Sequence, residues 1–155
     1  MKARDWLNQW IPGGTVLARA SGRREVEQFV GTLRPMETGH ALVRMGGEGD
    51  GGYLVPDDLD GIEACFSPGV ANTAGFELDM ARRGIPSFMA DYSVDGPPED
   101  HPLFRFEKKF LGASEDDRHV TLDGWVGRCS PGRGDLVLQM DIEGAEWPVL
   151  LASDA

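Results

Sequence analysis

Three carboxylates fall within six residues in the stretch Asp141-Ile142-Glu143-Gly144-Ala145-Glu146, directly after an apolar run from Leu136 to Met140. A short apolar run closed by a turn signal reads as a buried strand. Open α/β sheets place their ligand-binding groups at the carboxyl ends of such strands. A second acid, Asp91, closes another short apolar run, Ser87 to Ala90, and lies 22 residues after Gly69. An acid at that place accepts hydrogen bonds from both hydroxyls of a ribose. The turn at Ser67-Pro68-Gly69 carries little glycine for a pyrophosphate cradle, and Glu77 near the following helix start disfavours phosphate. The pattern therefore points to a nucleoside ligand without phosphates, with Gly69 giving one close backbone approach.

The elements that must position these groups follow from periodicity. Ile62 to Phe66 reads as a strand, with Cys65 buried in it. Ala74 to Arg83 reads as a helix stopped by Gly84, and Ser87 to Ala90 as the next strand. Together they form a βαβ unit. Residues 92–103 are loop. Phe104 and Phe106, continuing to Phe110-Leu111, are expected to form one third strand. Thr121 is placed to cap a short helix through Leu122, Trp125 and Val126. A last helix starts near Glu146, with Val149, Leu150 and Leu151 on its apolar side. Trp125 and Trp147 read as core or rim packing.

Upstream, two β-type runs flank five glycines in the stretch 46–52. Gly47, Gly49 and Gly52 formally satisfy the dinucleotide fingerprint, but Tyr53-Leu54-Val55-Pro56 follows where that motif needs a helix. A glycine-rich hairpin is the better reading, with a flap near the ligand as its functional alternative. Residues 1–33 read as helical with a break. Trp6, Leu7, Trp10 and Ile11 recur at helical spacing before Pro12, and Val26, Phe29, Val30 and Leu33 mark a second helix. The expected organisation is an N-terminal helical extension, 1–40, and an α/β domain, 41–155.

A chain of 155 residues with net charge −11 is an unlikely match for nucleic acid or an anionic membrane surface, and no apolar stretch is long enough to span a bilayer. The charge suits a cationic ligand, as it suits many acidic soluble proteins. Cys65 and Cys129 lack metal or disulfide spacing and read as free thiols of a reducing, cytoplasmic compartment. His40, His101 and His119 lack metal-ligand spacing and read as surface residues, and Asp57, Asp58 and Asp60 lack the order of a calcium loop. No metal site is expected.

Several stretches match a known family: Asp50-Gly51-Gly52-Tyr53, Phe66-Ser67-Pro68-Gly69-Val70 with Phe76-Glu77, Asp91, Thr121-Leu122-Asp123, and Met140-Asp-Ile-Glu-Gly-Ala-Glu146. In these the chain resembles the FkbM-type S-adenosylmethionine-dependent methyltransferases over residues 41–151. The resemblance implies a Rossmann-like class I methyltransferase sheet with S-adenosylmethionine as cofactor. The acceptor would be a glycan or small-molecule hydroxyl. It assigns Gly69 to the cofactor loop, Asp91 to the ribose and Asp141 to the reacting end, where Asp141 is also the candidate base. Ser67, Glu77 and Glu143 complete the implied cofactor set, although Glu77 also reads as an ordinary exposed helix acid. Glu143 and Glu146 equally suit the dipole of a helix start. Two departures accompany the match. A single glycine replaces the usual Gly-x-Gly, and the family's fold continues through three further strands, so a C-terminally truncated sheet is expected. The alternatives are a degenerate binding domain without catalysis and a nucleotide-dependent oxidoreductase.

Overall fold

A computed structural model describes residues 21–129, 132 and 134–153. The chain divides into two units, Met1–Thr38 and Gly39–Ala155. In the first, helix α1 (Arg23–Thr32) carries the apolar spacing of Val26, Phe29 and Val30. Its first turn is fixed where the Gly22 N–H donates to Glu25 Oε2 at 3.1 Å. The helix expected on Trp6, Leu7, Trp10 and Ile11 lies outside the described residues.

The second unit begins with an antiparallel hairpin, β1 (Leu42–Met45) and β2 (Tyr53–Pro56), closed by the glycine-rich loop. Then come β3 (Ile62–Pro68), α2 (Gly75–Arg82), β4 (Ser87–Ala90), β5 (Phe104–Glu107), β6 (Phe110–Leu111), β7 (His119–Val120), α3 (Leu122–Cys129), β8 (Asp135–Leu138) and α4 (Glu146–Leu150). Four strands form one sheet in the order β5-β4-β3-β8, and every pair is parallel. This is an α/β fold with the strand order of a Rossmann-like sheet: chain progress runs outward from β3 through β4 to β5, then returns to the other side of β3 with β8.

A central parallel strand is covered on both faces, so it reads as continuously apolar. β3 obeys this: residues 64–68 are all buried. Alternation sends Ala64 and Phe66 to one face, where Trp125 of α3, Val120 and Val149 meet them. The Phe66 ring stacks on Phe88 at 5.1 Å and takes the edge of Trp125 at 5.0 Å. Cys65 points to the other face, among Met45 of the hairpin and Phe76, Met80 and Ile85. Helix α2 and the hairpin therefore roof one side, and α3 with α4 the other. Thr121 caps α3 as expected: its Oγ1 accepts from the Gly124 N–H at 3.2 Å.

Two expectations about strands need correction. Phe104 to Leu111 is not one strand. The ladder with β4 ends at Glu107, whose carbonyl accepts from both Asp91 N and Lys109 N, and the chain turns. Phe110 and Leu111 instead pair with His119 and Val120 in a separate two-stranded sheet. The alternation of Phe and charge continued across the turn, so periodicity alone did not reveal it. The run Leu136 to Met140 is strand only through Leu138, with a last bond from Gln139 N to Phe66 O at 2.9 Å. The next donor from β3 would be Pro68, which has no N–H. Leu136 and Leu138 are exposed, because β8 has a strand neighbour on one side only among the described residues. Trp147 is likewise exposed, whereas Trp125 is core.

Candidate ligand-binding site

Because the four strands are parallel, their carboxyl ends share one edge of the sheet. Along that edge stand Asp141 after β8, Gly69 after β3, Asp91 after β4, and Phe110 after β5. A cavity of about 490 Å³ opens there. The order of the strands reverses between β3 and β8, which is where α/β sheets open a crevice.

Gly69 makes that crevice narrow at its base. Its φ is +84°, a conformation glycine adopts without steric cost. A Cβ built there would lie 2.1 Å from the Asp141 carbonyl oxygen. The two loops thus touch through backbone, and only glycine fits. The next turn is held by Asp91, which is almost wholly buried. Its Oδ2 accepts from Ala71 N at 3.0 Å, and its Oδ1 from the N–H and Oγ of Ser93, both at 2.7 Å. Ala71 has φ +41°, a left-handed conformation costing a non-glycine residue about 1 kcal/mol or more. Asp91 therefore pins a strained loop, and three of a carboxylate's roughly four acceptor positions are used. About one remains for a ligand hydroxyl.

Glu77 departs most from expectation. It is not an exposed helix acid: it is 3% exposed, on the face of α2 that also carries Met80 and Ala81. Burial, the largest influence, raises its carboxyl above the ordinary range, and the hydrogen bond with Ser67 partly offsets this. Ser67 Oγ lies against Glu77 Oε1 and 2.6 Å from Gln139 Oε1. A hydroxyl has one proton and donates to one of these at a time. The second contact takes its hydrogen from the Glu77 carboxyl, which burial favours in its neutral form, or from the Gln139 amide turned to present its N–H. Burial and then Glu77 also push the Cys65 thiol up to about 12, so it is an inert core group rather than a nucleophile.

Tyr53 and Gln139 were not among the expected site residues. Tyr53 follows the glycine loop directly, and its Oη donates to Asp141 Oδ2 at 3.3 Å. Burial, with the Asp141 carboxylate adding to it, raises the phenol, so Tyr53 stays a donor at neutral pH. Gln139 lines the same cavity, with its amide oxygen 2.6 Å from Ser67 Oγ. Its signal in the sequence was a polar residue inside the apolar run. The hairpin is seated on α2 at Gly46: its N–H donates to Asp79 Oδ2 at 2.8 Å, and Gly75 sits against its carbonyl.

Of the other expected residues, Glu143 lines the cavity from a left-handed conformation, φ +56°. Glu146 does not line it. Its Oε1 accepts from Ile142 N at 2.9 Å, and backbone N–H groups around it hold the carboxyl below its ordinary value. It braces the turn that presents Asp141. His119, expected on the surface, is half-buried and lines the cavity, while His40 and His101 do not. No cluster of three or more metal-ligating side chains occurs among the described residues.

Five acids line the cavity: Asp50, Glu77, Asp91, Asp141 and Glu143. Among the described residues no lysine or arginine does. The fold and site define an α/β domain with an acid-walled crevice at the switch point of a parallel sheet. No family model, curated protein or solved structure matches the chain.

Proposed function

We propose that this domain binds S-adenosylmethionine and transfers its methyl group to a hydroxyl of a glycan or small molecule. The observation that carries the reading is the lining: among the described residues, five acids and no lysine or arginine, at the switch point of a parallel sheet. A pyrophosphate would meet carboxylates and no cation there, which disfavours the dinucleotide-dependent oxidoreductase. A ligand with a sulfonium and an ammonium meets complementary charge. Asp91 retains acceptor capacity for a ribose hydroxyl, and the Gly69 turn lets backbone approach the ligand.

When bound, the cofactor supplies an electrophilic methyl for in-line displacement. The chain's task is then positioning and proton management. The acceptor oxygen must come within about 3 Å of the methyl carbon, along the axis of the breaking carbon–sulfur bond. Asp141 takes the acceptor's proton. Tyr53, donating to Oδ2, fixes the carboxylate and leaves Oδ1 for the acceptor. Gln139, held by Ser67, lines the same cavity. The hydroxyl and glycan acceptor come from the resemblance to FkbM-type enzymes. So does the class I methyltransferase assignment of the sheet.

Calorimetric titration of the chain with S-adenosylhomocysteine tests this, with Asp91→Ala and Asp141→Ala alongside. Saturable binding, weakened about tenfold or more by Asp91→Ala, is expected. Absence of heat and of any thermal shift at millimolar ligand would sink the reading.

A further inference from the structure

One end of the cavity is aromatic rather than acidic. β6 and β7 pair in register, Phe110 opposite His119 and Leu111 opposite Val120. Leu111 and Val120 enter the core, so alternation puts Phe110 and His119 together on the other side. Their rings lie 5.8 Å apart, and both line the cavity. Tyr92 extends the group, 5.4 Å from Phe110.

His119 is held in one orientation and one tautomer. Its Nδ1 lies 2.9 and 3.0 Å from the two carboxylate oxygens of Asp116. Asp116 Oδ1 also accepts the backbone N–H groups of Arg118 and His119, both at 2.7 Å. These bonds, the Arg118 N–H foremost, bring the Asp116 carboxyl down to about 2. The carboxylate is acceptor-only, so of the two imidazole tautomers it selects the one with the proton on Nδ1. Nε2 is then a lone-pair acceptor, without a partner among the described residues. The ring also packs over Gly112, where a Cβ would meet its Cβ and Cδ2 at 3.1 Å.

The sheet says which part of a ligand reaches this end. Asp141, Gly69, Asp91 and Phe110 follow β8, β3, β4 and β5 in spatial order. Three strand spacings separate the first from the last, roughly 14 Å. A nucleoside ligand with its charged end at Asp141 and its ribose at Asp91 places its base at the cavity end that Phe110 and His119 line.

Resting on the function proposed above, we infer that His119, fixed by Asp116, selects the base of the ligand by accepting a hydrogen bond at Nε2 from an exocyclic amine. A 6-aminopurine offers that donor. A 6-oxopurine sets a carbonyl oxygen against the lone pair, and Asp116 prevents the tautomer change that would relieve it. Asp116 is a positioning residue, and His119 is the residue that reads the base.

The test is competitive binding of S-adenosylhomocysteine and S-inosylhomocysteine to the chain, its His119→Phe variant and its Asp116→Asn variant. Phe keeps a ring over Gly112 and removes Nε2. The expected wild-type preference for the adenosyl ligand is about tenfold or more, falling to about twofold or less in His119→Phe. Asp116→Asn, whose amide accepts either tautomer, keeps adenosyl binding and loses most of the preference. Equal wild-type binding of the two ligands, or a preference unchanged in both variants, overturns the assignment of His119 while leaving the cavity's function standing. Binding of neither ligand removes both.

Discussion

The contact between Gly69 and the Asp141 carbonyl joins the two loops of the crevice, and it can be tested by adding one methyl group. In Gly69→Ala the new Cβ starts 2.1 Å from that oxygen, about 1 Å inside the tightest contact real Cβ atoms make. Relieving it means moving backbone, since the obstacle is a carbonyl and not a flexible side chain. Overpacking of that kind costs about 1–3 kcal/mol. The left-handed φ of +84° adds about 1–2 kcal/mol for any residue with a Cβ. The expected loss is about 2–5 kcal/mol, or a fall in melting temperature of roughly 5–15 °C. Gly144→Ala supplies the control. Its φ is +95°, but nothing lies within 4 Å of its Cβ, so it pays the backbone cost alone, about 1–2 kcal/mol. Urea unfolding of the three proteins measures both terms, and titration with S-adenosylhomocysteine reads the site. Gly69→Ala should lose more stability than Gly144→Ala and, because Asp141 is pushed away, bind at least about tenfold more weakly. Equal losses in the two variants would refute the close approach and with it the geometry of the crevice.

Other consequences follow from burial and charge. Glu77 has a raised folded-state pKa, so its contribution to stability is fully present below its ordinary value of 4.5 and is lost as pH rises through the folded value. Glu77→Gln keeps a donor for Ser67 without that titration. The variant should therefore gain stability relative to wild type as pH rises from about 4 to 8 in urea melts; parallel profiles would show that the carboxyl is not the buried acid described here. Trp125→Ala removes a ring that is 1% exposed and packed edge-on against Phe66, at a cost of about 3–5 kcal/mol, whereas Trp147→Ala should cost under about 0.5 kcal/mol. Tryptophan fluorescence distinguishes them, the blue-shifted component being lost only with Trp125. Leu136 and Leu138, exposed on β8, which is an end strand among the described residues, should make the chain self-associate with rising concentration, and Leu138→Lys should suppress it. Sedimentation showing a wild-type monomer at about 100 μM would contradict this.

The parallel sheet was legible because its strands are short, apolar and closed by turn residues, and because Gly69 and Asp91 stand where a βαβ unit puts its ligand groups. The end of β5 was not legible, since alternation of Phe104, Phe106 and Phe110 with charges runs through a turn that breaks no pattern. Glu77 was misjudged for a different reason. Exposure is the usual state of a helix acid, and only its place beside Met80 and Ala81 on one helical face hinted otherwise. Tyr53, Gln139 and His119 were hidden by distance. Tyr53 and Asp141 are 88 residues apart, and what joins them is the seating of the hairpin on α2 through Gly46, Gly75 and Asp79. A polar residue in an apolar run and a tyrosine after a glycine turn each look unremarkable until that docking brings them to one wall.

The same docking explains why the crevice is built from groups that oppose one another. Four of its five acids, Asp50, Asp91, Asp141 and Glu143, come from loops, and no lysine or arginine among the described residues joins them at the wall. Like charges gathered at one edge destabilise a fold. Here the cost is contained locally: Asp91 by three hydrogen bonds, Asp141 by the Tyr53 phenol, and Glu77 by burial that favours its neutral form. The residual repulsion is relieved by a ligand that brings positive charge. A cationic nucleoside should consequently bind more tightly than a neutral one of the same shape, and so raise the melting temperature more at equal concentration. Occupancy at a hundred times Kd corresponds to about 2.7 kcal/mol whatever the ligand, so the comparison must be made through Kd itself. S-adenosylmethionine and S-adenosylhomocysteine differ by one methyl and one positive charge at sulfur. Their affinity ratio, followed as salt is raised, isolates the acid wall from every other contact. A ratio that does not move with salt, or with Asp141→Asn, would mean that these carboxylates serve the loops and not the ligand.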